Sequence, residues 1–354
     1  MTMRYKLLGR TGLRISELAL GAMTFGDQWG WGASPQECAR MLDAYAQAGG
    51  NVIDTANHYT HGESERIIGE LVGSERDRWV LCTKYVLNQR PLDPNAGGSH
   101  RKSLVQSLEA SLSRLGTDHV DVLWVHIWDA LTPAEELMRA LDDTVRAGKV
   151  LYVGISDTPA WIVCVANMLA QLRGWTPFAG LQVPYSLVER AVERDLLPMA
   201  RALQLTVTTW GPLAGGLLTG RYGGGRERPT GTRLETVTGQ ADRLLTERNL
   251  RIVDVVNAIA AERDASAPQV AIAWVRAQQP RAAIVPILGA RTREQLEDNL
   301  AALELRLSSD ELARLDAVSC IELGFPHDFD ADRLAYGDTR DLIDDHRRPL
   351  GFVA

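Results

Sequence analysis

The chain has 354 residues, 45% of them hydrophobic, and a net charge of −7. It is long enough to bury a large core. Its acidic balance argues against a nucleic-acid or anionic-membrane partner, because phosphate contacts need clustered Lys and Arg. The expected partner is therefore a small molecule.

The first residues, "MTMRYKLLGRTGLRIS", lack the apolar core of a signal peptide, and no run approaches the roughly 18 apolar residues of a membrane span. Gly-Arg-Thr-Gly at the centre of this stretch predicts a β-hairpin that precedes the main body of the fold and closes its bottom. The next apolar runs, in chain order, are 17–23, 51–56, 79–85, 120–128, 150–156, 179–185, 205–212 and 282–290. Helical patterns lie between them. One opens on Ser34 as N-cap with Pro35 at the first helical position and closes on Gly49. Another carries Leu104, Leu108, Leu112 and Leu115 on one face before Gly116. A third, beginning at Glu63 to Glu65, is expected to be capped by Glu63 or Ser64, its acids complementing the helix dipole. Between strands seven and eight the chain is overlong: the loop "RYGGGRERPTGTR" leads into two helical patterns, "LRIVDVVNAIAAERD" and "PQVAIAWVRAQQ".

Eight alternating strand–helix units predict an α/β fold, a (β/α)8 TIM barrel with an N-terminal hairpin and extra helices near strands 7 and 8. A doubly wound dinucleotide fold would show Gly-x-Gly-x-x-Gly after its first strand, and none is present. Residues 1–354 read as one domain, with the tail 320–354 near the substrate side. Cys38, Cys82, Cys164 and Cys320 lie far apart, which predicts neither zinc nor disulfides and suits a reducing cytoplasm.

In such a barrel the catalytic groups stand at the carboxyl ends of different strands. Asp54, Lys84 and His126 each interrupt an apolar run on strands two, three and four. Singly, each has a plain structural explanation: a turn-capping Asp, a solvated Lys, a satisfied core His. Together they fall at adjacent positions on one rim, where a buried acid and lysine should pair. Tyr59, five residues past Asp54, can return to the same mouth as a proton donor. A neighbouring ammonium is expected to lower its pKa from the ordinary value near 10.

These residues, and the segment "DTANHYTHGESE" that holds two of them, resemble the aldo-keto reductases, the likeness running through nearly the whole chain. Thr60 stands where that family's motif has its first glycine. The resemblance implies a catalytic tetrad of Asp54, Tyr59, Lys84 and His126, with hydride passing from a nicotinamide to a carbonyl carbon. It also implies cofactor contacts at Ser156, Asp157 (in place of the usual Asn), Gln182 and Trp210, the last stacking on the nicotinamide. The glycine-rich turn including Gly211, Leu213 and Gly215 would cradle the pyrophosphate with backbone N–H groups. "GARTREQLEDN" resembles the family's adenosine-phosphate motif, giving Gly289, Arg291, Gln295 and Asn299, and a guanidinium at a helix start favours NADPH over NADH. His58, His61 and Glu63 make a weak metal trio, and the family is metal-free, so no metal is expected. Phe25, Trp29, Trp31, Tyr85 and Trp128 are expected to line an aromatic substrate rim for an aldehyde or ketone. Three other readings remain open on sequence alone: a cofactor-binding auxiliary subunit of a potassium channel, a keto-sugar reductase in a biosynthetic pathway, and a Schiff-base aldolase using Lys84.

Overall fold

Eight short parallel strands close on themselves in the computed structural model, which describes residues 3–223, 234, 239–329 and 331–343. They are β3 (Ala19–Gly21), β4 (Val52–Asp54), β5 (Val80–Tyr85), β6 (Val120–Val125), β7 (Val150–Ser156), β8 (Gly180–Pro184), β9 (Thr206–Trp210) and β10 (Ala283–Leu288). Each pairs with its sequence neighbour, and β10 pairs with β3 to seal the ring. All eight fall inside the runs expected from sequence. The fold is therefore a (β/α)8 barrel. In the long connection before β10, helices span Gln240–Leu244, Glu247–Glu262 and Ala267–Ala277. Residues 224–233 of the preceding glycine-rich loop lie outside the described residues.

Side chains alternate along a strand, so one parity faces the barrel axis. Here it is the even one on β4 to β9. Val52, Val80, Cys82, Val122 and Trp124 pack together inside, whereas Ile53, Leu81, Leu123 and Val153 pack outward against the helices. Trp124 fills the barrel because glycine faces it on the next two strands. A Cβ on Gly154 would lie 2.3 Å from the Trp124 ring, and one on Gly180 would lie 2.7 Å away. Gly154→Ala should therefore lower stability by about 2 kcal/mol, read as a fall in the denaturant midpoint. Adding Trp124→Leu should recover part of the loss; an additive double variant would contradict this packing.

The hairpin strands β1 (Tyr5–Leu7) and β2 (Arg14–Ser16) pair antiparallel, and Leu8 and Ile15 join the inner cluster from below. Gly9 makes this close approach possible. It has a φ of +55°, and a Cβ there would sit 2.3 Å from the Ala179 carbonyl oxygen. Its N–H donates to Thr206 Oγ1 at 2.8 Å. The bottom is thus plugged and the functional end is the opposite mouth.

Some helix starts carry a side-chain cap and others do not; those after Pro133, Pro159 and Asp195 have none. Ser34 caps the helix Pro35–Gln47, accepting from the Glu37 N–H, and His100 does the same for the helix Arg101–Leu115 through Nδ1. The helix Glu63–Val72 instead follows Gly62 without a side-chain cap. Ser64 Oγ is spent on the Ala22 carbonyl, and Glu65 is fully buried, paired with Arg114 at 2.6 Å. The expected cap is thus absent, because these side chains tie the helix to β3 and to the helix behind it.

Candidate active site

A cleft of about 1360 Å³ opens at the mouth and runs from Asp54, Tyr59 and His126 to Arg291 and Asn299. At its inner end Lys84 is fully buried. The Lys84 ammonium donates all three of its hydrogens: to Asp54 Oδ2 at 2.5 Å, to the Thr55 carbonyl at 2.8 Å and to Tyr59 Oη at 3.1 Å. Asp54 Oδ1 accepts from Gln182 Nε2 at 3.0 Å, which ties β4 to β8 across the barrel. The His126 ring stands edge-on to Tyr59, with centroids 5.9 Å apart.

The electrostatics follow from burial. Desolvation pulls the Lys84 pKa down, but Asp54 and Tyr59 more than offset it, so the group is held above its ordinary value as a fixed cation. His126 is pushed down to about 2 by burial and then by Lys84, so it is neutral. The Tyr59 expectation needs correcting. Lys84 does act to lower the phenol's pKa, but burial outweighs it and the net shift is upward. Tyr59 is consequently a neutral phenol, with a proton to give, throughout the neutral range.

The loop that carries Tyr59 bends unusually. Thr60 and His61 have φ of 45° and 54°, a left-handed region that favours glycine. Thr60 compensates with its side chain, whose Oγ1 donates to the Phe25 carbonyl at 2.8 Å and accepts from the Ser64 N–H at 3.0 Å. That bond pair explains how threonine serves where the resembled motif has glycine.

Further along the cleft lie Ser156, Asp157, Gln182 and Trp210. Trp210 Nε1 donates to Asp157 Oδ1 at 3.1 Å. Beyond them Gly211, Leu213 and Gly215 line the wall, and a Cβ on Gly211 or Gly216 would meet nothing within 4 Å, so their backbone is open. At the far end Gly289, Arg291, Gln295 and Asn299 come together. Gln295 Oε1 accepts from the Arg291 N–H at 2.9 Å, and Asn299 Nδ2 donates to the Gly289 carbonyl at 3.4 Å. Among the described residues the Arg291 guanidinium bonds no protein group. The sequence of surfaces suits a nicotinamide dinucleotide: polar groups beside the Tyr59 phenol, then open glycine backbone, then the Arg291 guanidinium next to the helix Arg293–Leu300.

The expected substrate rim is only partly assembled. Trp29 and Trp31 line the cleft, 5.9 Å apart, and Trp29 lies 6.4 Å from Tyr59. Tyr85 does not line it. As an odd-numbered residue of β5 it faces outward, is 1% exposed, and donates to the Ser99 carbonyl. Phe25 is equally buried, its ring in the core. Trp128, beyond the end of β6, is half-exposed and lies outside the cleft lining. Met23, His58 and Leu87 line the cleft instead; the two apolar ones carry no sequence signal because they sit in loops. His58 and His61 stack edge-on, 6.4 Å between centroids, in the wall around Trp29. The described part of the tail bonds residues just before the helix Leu196–Ala202, outside the cleft lining: Arg194 donates to the Glu322 carbonyl at 2.9 Å and His327 pairs with Asp195 at 3.1 Å.

A barrel with an acid, lysine, tyrosine and histidine gathered at one mouth defines a class of carbonyl oxidoreductase, and the sequence comparisons agree. The Aldo/keto reductase family profile matches residues 17–319, and the chain belongs to that family. It is 40% identical over 337 residues to an aldo-keto reductase of Emericella nidulans, covering 92% of this chain and 84% of that protein. It is 38% identical to norsolorinic acid reductase of Aspergillus flavus, covering 91% and 82%. It is also 38% identical to an aryl-alcohol dehydrogenase of Pestalotiopsis microspora, covering 92% and 85%. The protein is thus an oxidoreductase for small-molecule carbonyl compounds, of a family that uses a nicotinamide cofactor.

Proposed function

We propose that the protein reduces an aromatic aldehyde or ketone to its alcohol with NADPH, Tyr59 acting as general acid. The observation that carries this reading is the Asp54–Lys84–Tyr59 chain, in which a buried, permanently charged ammonium hydrogen-bonds a neutral phenol at the cleft. When bound, the reduced nicotinamide supplies the hydride for the carbonyl carbon. Tyr59 Oη gives its proton to the carbonyl oxygen, and Lys84 stabilises the phenolate that results. Asp54 keeps Lys84 charged and in place. His126, neutral and beside Tyr59, orients the oxygen.

Two features support an aromatic substrate. Trp29, beside Tyr59, and Trp31, beside Trp29, offer flat apolar faces to the cleft, and a relative bears the name aryl-alcohol dehydrogenase. Arg291 supports NADPH, since a guanidinium binds a 2′-phosphate through two parallel hydrogen bonds. The test follows NADPH absorbance with aromatic and aliphatic aldehydes and ketones, alongside cofactor titrations. Arg291→Ala should weaken NADPH roughly 10- to 100-fold and NADH by less than about twofold. Equal losses for the two cofactors would remove the phosphate assignment, and absence of turnover on any carbonyl would remove the reductase reading.

A further inference from the structure

Asp157 is an acid of the cleft wall with no cation hydrogen-bonded to it among the described residues. It follows β7 directly and has a φ of 43°, a left-handed conformation that Asp and Asn tolerate best among residues with side chains. Its backbone is fixed on both sides, the N–H donating to the Gln182 carbonyl at 3.1 Å and the carbonyl accepting from the Trp128 N–H at 3.4 Å. One carboxylate oxygen accepts from Trp210 Nε1. The other accepts no protein hydrogen bond among the described residues. The side chain is therefore held in the cleft wall between Trp210 and the inner end, where its charge is felt by both Tyr59 and Lys84.

The charges around it can be summed. Lys84 from β5 and Asp54 from β4 cancel as an ion pair. Tyr59 and His126 are neutral, and His58, whose pKa is lowered by burial and by His61, is neutral near pH 7. Among these inner groups that leaves the charge on Asp157 uncompensated, while Glu189, elsewhere in the cleft lining, is exposed to solvent. An asparagine there would present no charge and one more donor.

We infer that Asp157 discriminates between the oxidation states of the cofactor, its carboxylate binding the cationic, oxidised nicotinamide more tightly than the neutral, reduced one. The inference rests on the nicotinamide reading above. In hydride transfer the ring gains a positive charge as the carbonyl carbon gains the hydride, while the carbonyl oxygen takes the Tyr59 proton. An anion fixed beside the ring is attracted more strongly after the step than before it. The bound couple is thereby made more reducing, and release of the oxidised cofactor is slowed. This makes Asp157 a positioning and electrostatic residue rather than a proton carrier.

Burial raises the Asp157 carboxyl to about 6, with Trp210 and Lys84 opposing. The preference should accordingly be present above pH 6 and fade as the carboxylate protonates below it. Kd values for NADP⁺ and NADPH, measured by calorimetry or Trp fluorescence between pH 5 and 8, test this without any turnover. The 2′-phosphate also titrates near pH 6, but it is common to both forms and cancels in their ratio. We expect wild-type protein to favour NADP⁺ over NADPH roughly tenfold more at pH 8 than at pH 5. Asp157→Asn should flatten that profile to its low-pH value, and any His58 titration remains in both proteins and is subtracted. The wild-type pH series needs no variant and stands even where Asp157→Asn folds poorly. A ratio that is independent of pH and unchanged by Asp157→Asn, with both forms still binding, overturns this inference and leaves the reductase reading intact. Failure of either cofactor form to bind would overturn both.

Discussion

Tyr59→Phe should lower kcat for carbonyl reduction by about 10³-fold while leaving cofactor affinity within about twofold. The substitution deletes one oxygen at the mouth. Lys84 keeps its bonds to Asp54 and the Thr55 carbonyl, so its charge stays compensated, and the stability cost should not exceed about 1 kcal/mol. The comparison to make is single-turnover hydride transfer against cofactor titration in the same preparation. Full-rate turnover by the variant would remove Tyr59 as the acid. The pH dependence follows from the same phenol. Burial holds its pKa above the ordinary value despite Lys84, so the protonated donor persists through neutral pH. Reduction should fall only at alkaline pH, whereas alcohol oxidation, which needs the phenolate as base, should rise with pH over the same range.

Lys84→Met should cost more, in both activity and stability. It leaves the Asp54 carboxylate, 4% exposed, with Gln182 as its one side-chain donor. Removing one partner of a buried pair typically costs about 3–5 kcal/mol, to be read as a lowered denaturant midpoint, together with loss of turnover. Asp54→Asn added to Lys84→Met should restore much of the stability and none of the activity. If the double variant were as unstable as the sum of the two singles, the pair would not be coupled as described. The sign of the linkage is fixed by direction. The folded pKa of Lys84 is raised, so its contribution to stability is complete below the unfolded value near 10.5 and is lost as pH rises through the folded value. An ammonium with every hydrogen committed also offers no lone pair to a carbonyl, which argues against the lysine-imine chemistry that sequence alone leaves open.

Much of the barrel and its mouth is legible in the sequence because strand residues announce themselves. Asp54 and Lys84 are polar residues at the ends of apolar runs, and such residues inside a closed barrel must converge. Parity sorts the aromatics too. Lys84 faces inward, so Tyr85 cannot, and a count along β5 is enough to move it from the rim to the core. Loop residues are harder. Nothing in the order of residues 23–31 says that the Phe25 ring turns into the core while Trp29 and Trp31 turn out, since no repeat governs a loop. The sign of the Tyr59 shift is also hidden, because it depends on how completely the phenol is enclosed, and enclosure is a property of the assembled loops. The uncapped start of the helix at Glu63 escapes the sequence for a related reason: Ser64 and Glu65 bond to elements distant in sequence, and the local pattern looks the same either way.

The alternation inside the barrel also determines which kinds of genetic change this protein can absorb. Asp54, Lys84 and Ser156 reach the mouth because each sits an even number of steps from a residue packed in the lumen below it on its own strand. A point substitution alters one group. Loss or gain of a single codon within Val80–Tyr85 would rotate every later side chain of that strand to the opposite face, sending Lys84 toward the helices and Tyr85 into the lumen, with the composition of the protein almost untouched. The hairpin tip at Arg10–Gly12, which faces away from the cleft, has no such parity to protect. Length variation among descendants of this chain should therefore collect there and in the loops, and stop at the strands.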